Sequence, residues 1–458
     1  MVNYSMQILD GDTHTPISIF LKLQGEKKFL LESSLKHEKS GRYSFIGMNP
    51  FYELIAYGDE ITCTDLYTKQ TTREIGDPLE ILNGCLLPPL KSPVEAPFFA
   101  GGIGYVGYDV IKQYEHIEKH LNDDIAMPDI HFQFYEQVVV YDHLLQQVTA
   151  IVFDRWLSEE KVDRDEQLNK LVNQIEHGDV TANEGYTIST FHSNYDEQSF
   201  EQMVSRVKEH IDRGDIYQAV ISQRLTANFA GSPFAYYRKL RKSNPSPYMY
   251  FIDFSNYAVL GTSPESLVKV KDNVVTTNPI AGTRKRGATV EEDHLLEKEL
   301  LNDDKEIAEH MMLVDLGRGD LGKVCKPGTI HLSKHMLIEK YRYVMHIVSE
   351  VTGELKPTKT STDALKACLP AGTVSGAPKK RAIELINELE KCKRGVYSGA
   401  IGYISINGNL DFALAIRTMV IKDGKAHVQA GAGIVHDSIP KNEFAETMNK
   451  ARALLEVH

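Results

Sequence analysis

The stretch "EQVVVYDHLLQQVTAIVFD", residues 136–154, alternates β-branched and aromatic residues with polar ones. That is the period of a strand. "GRYSFIGMNP" (41–50) and "YELIAYGDEITC" (52–63) repeat the pattern, so residues 1–155 read as strand-rich. "PFFAGGIGYVGYD" (97–109) has glycines at 101, 102, 104 and 107 but no strand–loop–helix unit around them. Tight strand packing or a bend fits it better than a phosphate loop. The polar, turn-prone segment 176–195 marks a boundary between regions 1–175 and 196–455, which are expected to interleave. Beyond it, "DEQSFEQMVSRVKEHIDRGD" (196–215) predicts an amphipathic helix ending near Gly214. "YAVLGTSPESLVKV" (257–270) predicts a strand pair, and 291–315 and 378–391 predict helices. There is no regular βα repeat, no internal repeat and no low-complexity tract. The pattern favours α+β over a doubly wound parallel sheet.

The 458 residues are 42% hydrophobic and 25% charged, with a net charge of -12 from 51 basic and 63 acidic residues. Such a chain has apolar surface for a large core. It lacks the clustered basic footprint of a nucleic-acid binder, and an anionic substrate would need a local cation or metal. The five cysteines, at 63, 85, 325, 368 and 392, are scattered, with no CxxC or Cys/His pattern. They predict neither a disulfide framework nor a zinc site, and fit a reducing cytoplasm. The first residues lack a basic segment followed by an apolar one, and no apolar run nears the ~18 residues of a membrane span.

"KNEFAETMNKARALL" (441–455), set on a helix at ~100° per residue, places Phe444, Met448, Ala451 and Leu455 on one face. Glu443, Glu446 and Lys450 form a separate stripe beside it. Isolated pairs of this kind are common on solvated helices, as "ELEK" (388–391) illustrates. This one has a twin: "DKEIAEHMMLVDL" (304–316) carries Glu306 and Glu309 in the same relation, next to an apolar run read as buried. Four carboxylates on facing helices repel unless a cation lies between them. Oxygen-only ligands suit Mg²⁺, which takes few protein carboxylates, several waters and a substrate oxyanion.

Other segments add function-like residues. "NPIAGTRKRG" (278–287) is a small-residue turn with three basic residues, by default an exposed loop. Glu265 sits in the Pro-kinked turn of "GTSPES", a general acid if it lies in a cleft. His346 lies in the apolar alternation of "YRYVMHIVSEV" (341–351), where a structural histidine is the commoner reading. "LPAGTVSGAPKKRAIELI" (369–386) joins a glycine loop to a helix start, an anion-favouring nest. The "GAG" of "HVQAGAGIVHDS" (427–438) offers bare backbone N–H groups. "DFALAIRTMVI" (411–421) places Arg417 in a strand, where a bound carboxylate is a good partner. Together they describe a pocket for a dicarboxylate beside Mg²⁺.

The ordered stretches "LLES", "GGIGYVGYD", "IYQAVISQR", "NPSPYMYF", "GTSPESLV", "PIAGTRKRG", "AEHMMLVDL", "VMHIVSEV", "LPAGTVSGAPK", "GVYSGAIGY", "AIRT", "QAGAGIVHDS" and "NEFAETMNKA" resemble the chorismate-utilising enzymes, most closely the large subunits of anthranilate synthases. The resemblance runs from about residue 30 to the C-terminus. It implies two packed antiparallel β-sheets, a sandwich, with helices outside. It implies a Mg²⁺-dependent lyase that makes anthranilate and pyruvate from chorismate and ammonia, the first step of tryptophan biosynthesis. Glu309 and Glu446 would bind Mg²⁺ directly, with Glu306 and Glu443 supporting. Gly282, Thr283, Tyr397, Arg417, the Gly431–Ala432–Gly433 backbone and Lys450 would bind chorismate. Glu265 would be the acid, His346 would assist loss of pyruvate, and Thr373 would line the site.

Two positions separate the siblings. Water-adding relatives carry a lysine base where this chain has Gln218, and aminodeoxychorismate synthases typically carry a lysine where it has Ala281. Free ammonia is then the implied nucleophile, with aminodeoxychorismate synthesis and a non-catalytic tryptophan-sensing subunit as the alternatives. No "GxCxG"-type cysteine elbow is present, so the resemblance implies a separate glutamine amidotransferase subunit. Ser33, Pro247, Tyr248 and Met249, with Glu32, Ile401 and Tyr403 nearby, match the family's tryptophan feedback site, in the 1–175 region and its neighbours. One departure is "DLGRGD" (315–320), where Gly319 replaces the family's usual asparagine.

Overall fold

The computed structural model describes residues 3–34, 41–87, 91–117, 121–180, 185–341 and 344–457. Among them the opening stretch forms a hairpin, Gln137–Asp142 against Gln147–Phe153. Asp142 closes its turn by accepting from the amides of Leu144 and Leu145 at 2.9 and 3.1 Å. The hairpin belongs to a 13-stranded sheet, and a second sheet has 12 strands among the described residues. Among the described residues every ladder of the two is antiparallel, in keeping with the α+β reading. Each sheet draws strands from both ends of the chain: Phe29–Glu32 pairs with Tyr248–Asp253 in the first, and Gly101–Val106 with Ala400–Ser405 in the second. The glycines of that second pairing serve strand contact, since a Cβ on Gly104 would lie 2.0 Å from the His131 carbonyl oxygen.

The apolar residues sort into layers. Phe29, Phe45 and Val259 of the first sheet meet Ile103, Tyr105 and Ile401 of the second in one core. The outer face of the first sheet packs on helices through Leu171, Tyr237 and Leu454. The second does so through Leu79, Val314 and Leu365. The result is a sheet-on-sheet sandwich with helices outside. The helix predicted at 196–215 spans Glu197–Asp212, capped by Asp196. No described helix is long and apolar enough to cross a membrane.

Three local expectations are corrected. Residues 291–315 form not one helix but parts of two, Val290–Leu301 and Asp304–Val324. The Asp303 carboxylate caps the second by accepting from the amides of Lys305 and Glu306. "YAVLGTSPESLVKV" gives two strands that do not pair: Tyr257–Ser263 lies in the first sheet and Ser266–Lys271 in the second. Arg417 is not in a strand but in the turn, at φ 48°, that returns the chain from Leu410–Leu414 of the second sheet to Thr418–Lys422 of the first. These two crossovers run side by side. The Leu414 amide donates to the Glu265 carbonyl at 3.0 Å, and the Thr262 amide to the Arg417 carbonyl at 3.1 Å.

Candidate functional site

The two crossovers place Glu265 and Arg417 on the wall of a cavity of about 730 Å³. Thr373 donates from Oγ1 to Glu265 Oε1 at 2.8 Å. Burial pushes the Glu265 carboxyl up to about 7, against the pull of Thr373, Lys450 and Arg417. It therefore titrates near neutral pH, the range in which a general acid works best. Burial lowers the proton affinity of the Arg417 guanidinium, which makes no hydrogen bond or ion pair among the described residues. A recessed, unpaired guanidinium has the chemistry to pair with a carboxylate.

A bulge at Gly282 interrupts the ladder between Ile280–Lys285 and Val344–Glu354. Its φ of 73° is one that side chains disfavour, and a Cβ there would come 3.2 Å from Glu306 Oε2. The bulge turns the Gly282 carbonyl onto His346 Nδ1 at 3.0 Å, with Thr283 Oγ1 also at 3.0 Å. A carbonyl only accepts, so Nδ1 carries the proton and Nε2 keeps its lone pair. Burial lowers the His346 pKa, which keeps that ring neutral. Gln218, Tyr397, Gly431 and Gly433 complete the wall. Ala432, between the last two, turns its side chain into the core with Phe200 and Leu385 and offers only backbone.

The helices Asp304–Val324 and Pro440–Leu455 bring all four glutamates to this cavity. Burial, then the neighbouring Glu306, raises the proton affinity of Glu309. Burial and Glu446 do the same for Glu443. Each carboxylate pair thus carries like-charge strain that a cation relieves. Protein cations sit beside both pairs: Arg284 lies 3.2 Å from Glu306, and Lys450 lies 2.7 Å from Glu446 and donates to the Gly431 carbonyl at 3.1 Å.

A model of the chorismate binding enzymes matches residues 26–456. Anthranilate synthase component 1 of Lactococcus lactis is 48% identical over 455 residues, 98% of each protein. That of Acetivibrio thermocellus is 46% identical over 97% of this chain and 93% of its own. The crystal structure of anthranilate synthase component I from Streptococcus pneumoniae superposes with a TM-score of 0.81 at 42% identity, over 98% of this chain and 99% of that one. The chain belongs to the chorismate binding enzymes. The menaquinone-specific isochorismate synthase of Escherichia coli shares the fold of this chorismate binding enzyme, with a TM-score of 0.75 at 19% identity over 100% of this chain and 95% of that one.

The donor set of the cavity fits Mg²⁺ in kind, being all carboxylate and charge-strained. Among the described residues no three such groups converge on one point. Sequence reasoning missed the groups that organise the site. Arg284, read as part of an exposed basic loop, ties Glu306 to Asp303. Glu390 of the dismissed "ELEK" is buried and binds the fully enclosed Arg394 at 2.6 Å. Arg394 donates to the carbonyls of Val374 and Val220 at 2.8 and 2.7 Å and lies 5.5 Å from the Tyr397 ring centre. It thereby joins three parts of the cavity wall.

Ser33, Glu32, Pro247, Tyr248, Met249, Ile401 and Tyr403 line a second cavity, of about 70 Å³, between the sheets. The Glu32 carboxylate accepts from Arg241 at 2.7 and 2.8 Å and from Tyr237 at 2.9 Å. Gly319 has open space where its side chain would be and does not touch the main cavity. All five cysteines are free.

Proposed function

We propose that this chain is the chorismate-converting subunit of an anthranilate synthase, a cytoplasmic lyase that makes anthranilate and pyruvate from chorismate and ammonia. The observation that carries the reading is one cavity holding a buried carboxyl that titrates near neutral pH, an unpaired guanidinium, a neutral imidazole and two strained carboxylate pairs, with neither family lysine. Arg417 and Tyr397 take the enolpyruvyl carboxylate, and the 431–433 backbone and Lys450 border the ring. Ammonia bonds to ring C2 as the C4–O bond breaks, and Glu265 gives its proton to the departing hydroxyl, which leaves as water. Loss of pyruvate and of the C2 proton then makes the ring aromatic, and His346 Nε2 is the base at hand. Glu309 and Glu446, supported by Glu306 and Glu443, would hold Mg²⁺. That ion supplies charge stabilisation at the ring carboxylate. Gln218 stands where a water-activating lysine would be and supports ammonia over water.

Ammonia is scarce as NH₃ at neutral pH, so a glutamine amidotransferase subunit is the proposed partner. The designation of the relatives as component 1 supports this. The second cavity is the proposed tryptophan site. At about 70 Å³ it admits only waters, so an indole must part the sheets. Its strands continue into both crossovers: Tyr248–Asp253 pairs with Tyr257–Ser263 before Glu265, and Tyr248 donates to Asp411 of the strand before Arg417. Parting them moves the catalytic turn, which is the differential contact that feedback requires. Ser33→Leu is expected to weaken tryptophan inhibition on the order of tenfold or more with turnover unchanged, as measured by inhibition curves.

The purified chain, given chorismate, ammonium and Mg²⁺, tests the function. Blue-fluorescent anthranilate with equimolar pyruvate is expected. A non-aromatic amino product would make it an aminodeoxychorismate synthase, and no turnover would make it a sensing subunit.

A further inference from the structure

We propose that a small cavity behind Glu265 holds ammonia on its way to the ring, an inference that rests on the ammonia-using reaction above. The cavity measures about 50 Å³ and lies between Thr277, Gly317 and Thr373. That volume has room for a few molecules the size of water or ammonia. Thr277 is 7% exposed, and its Oγ1 has no hydrogen-bond partner. A buried hydroxyl is rarely left so, and a small guest that both donates and accepts would satisfy it. Glu265 and Thr373 form the inner wall and also line the large cavity. Leu316 and Asp320 form the outer wall and also line an exposed groove on the far side of the helix Asp304–Val324. The three spaces therefore share walls in series from the surface to the site. The Asp320 carboxylate is already bound to Lys379 at 2.7 Å and Lys323 at 3.1 Å. It offers no free anion to ammonium, so the path favours neutral ammonia.

Gly317 lies inside a helix, and a Cβ on it would point into this space, 3.2 Å from Thr277 Oγ1, with its three nearest neighbours all side chains. Gly317→Ala fills the cavity, and Thr277→Val removes the hydroxyl while keeping its shape. In the full chain, with ammonium chloride as the nitrogen donor, each variant is expected to raise the KM for ammonium. The expected rise is on the order of tenfold, the ratio that one ordinary hydrogen bond supports. The KM for chorismate and the kcat at saturation should not move, and the Tm of Gly317→Ala should not fall, because alanine favours the helix. An ammonium KM unchanged in both variants would show a structural water pocket and overturn the proposal. So would a parallel rise in the KM for chorismate, which would mean distortion of the main site. A wild-type chain that makes no anthranilate overturns the parent function and this inference with it, whereas active wild type with unaltered variants overturns this inference alone.

Discussion

Glu265→Gln is expected to lower kcat by about 10²–10⁴, the range of a single general acid, without loss of fold. The amide still accepts the Thr373 hydroxyl bond, made at 2.8 Å in the native chain, but has no proton to give. In the wild type, kcat at saturating NH₃ should fall as pH rises through about 7, where burial places the Glu265 pKa. The variant should lose that limb. Stability from this group changes in the same direction. The folded chain holds this proton up to about pH 7, while the unfolded chain releases it near 4.5. The folded state therefore binds more protons across that window, and stability from this group falls as pH rises through it. At ~1.4 kcal/mol per pH unit, the glutamine variant should gain up to about 3 kcal/mol over wild type at pH 8 relative to pH 4. Thermal melts at the two pH values check this, and an unchanged difference would remove Glu265 from the role of buried acid.

The second large effect is at the carboxylates. Glu309→Ala and Glu446→Ala are each expected to reduce kcat/KM about 10³-fold or more, since a bound metal contributes several kcal/mol of charge stabilisation. Folding should not suffer. Glu309 is held at a cost by burial and by Glu306, so its removal relieves strain. Glu446 makes a half-exposed pair with Lys450, a kind worth about 0–1 kcal/mol. Steady-state kinetics with circular dichroism melts separate the two effects. A large drop in Tm, or full activity in either variant, would contradict the assignment.

The paired glutamates were legible because a helix puts residues three apart on one side, and the spacing alone shows it. The strand character of 136–154 and the helix read over 196–215 were legible for the same reason: the period of the side chains is local. The crossovers were not. Alternation of side chains says that Tyr257–Ser263 and Ser266–Lys271 are strands, but carries nothing about which sheet each enters. The turn that puts Glu265 in the site therefore read as an ordinary hairpin. Arg417 read as a strand residue because its flanks are apolar on both sides. Glu390 read as solvated because its partner, Arg394, is buried by the Tyr108 and Tyr397 rings, one of which comes from a distant strand end. Long-range burial decided each of these, and no window of sequence contains it.

On the proposed function, glutamates from two distant helices would hold one Mg²⁺ that stabilises the ring carboxylate of chorismate. Isothermal titration of chorismate, with ammonium absent and Mg²⁺ absent or saturating, tests it most directly. Mg²⁺ is expected to tighten chorismate binding, chorismate is expected to tighten Mg²⁺ binding by the same factor, and Glu309→Ala should abolish both. Chorismate bound equally well with and without Mg²⁺ would contradict the claim.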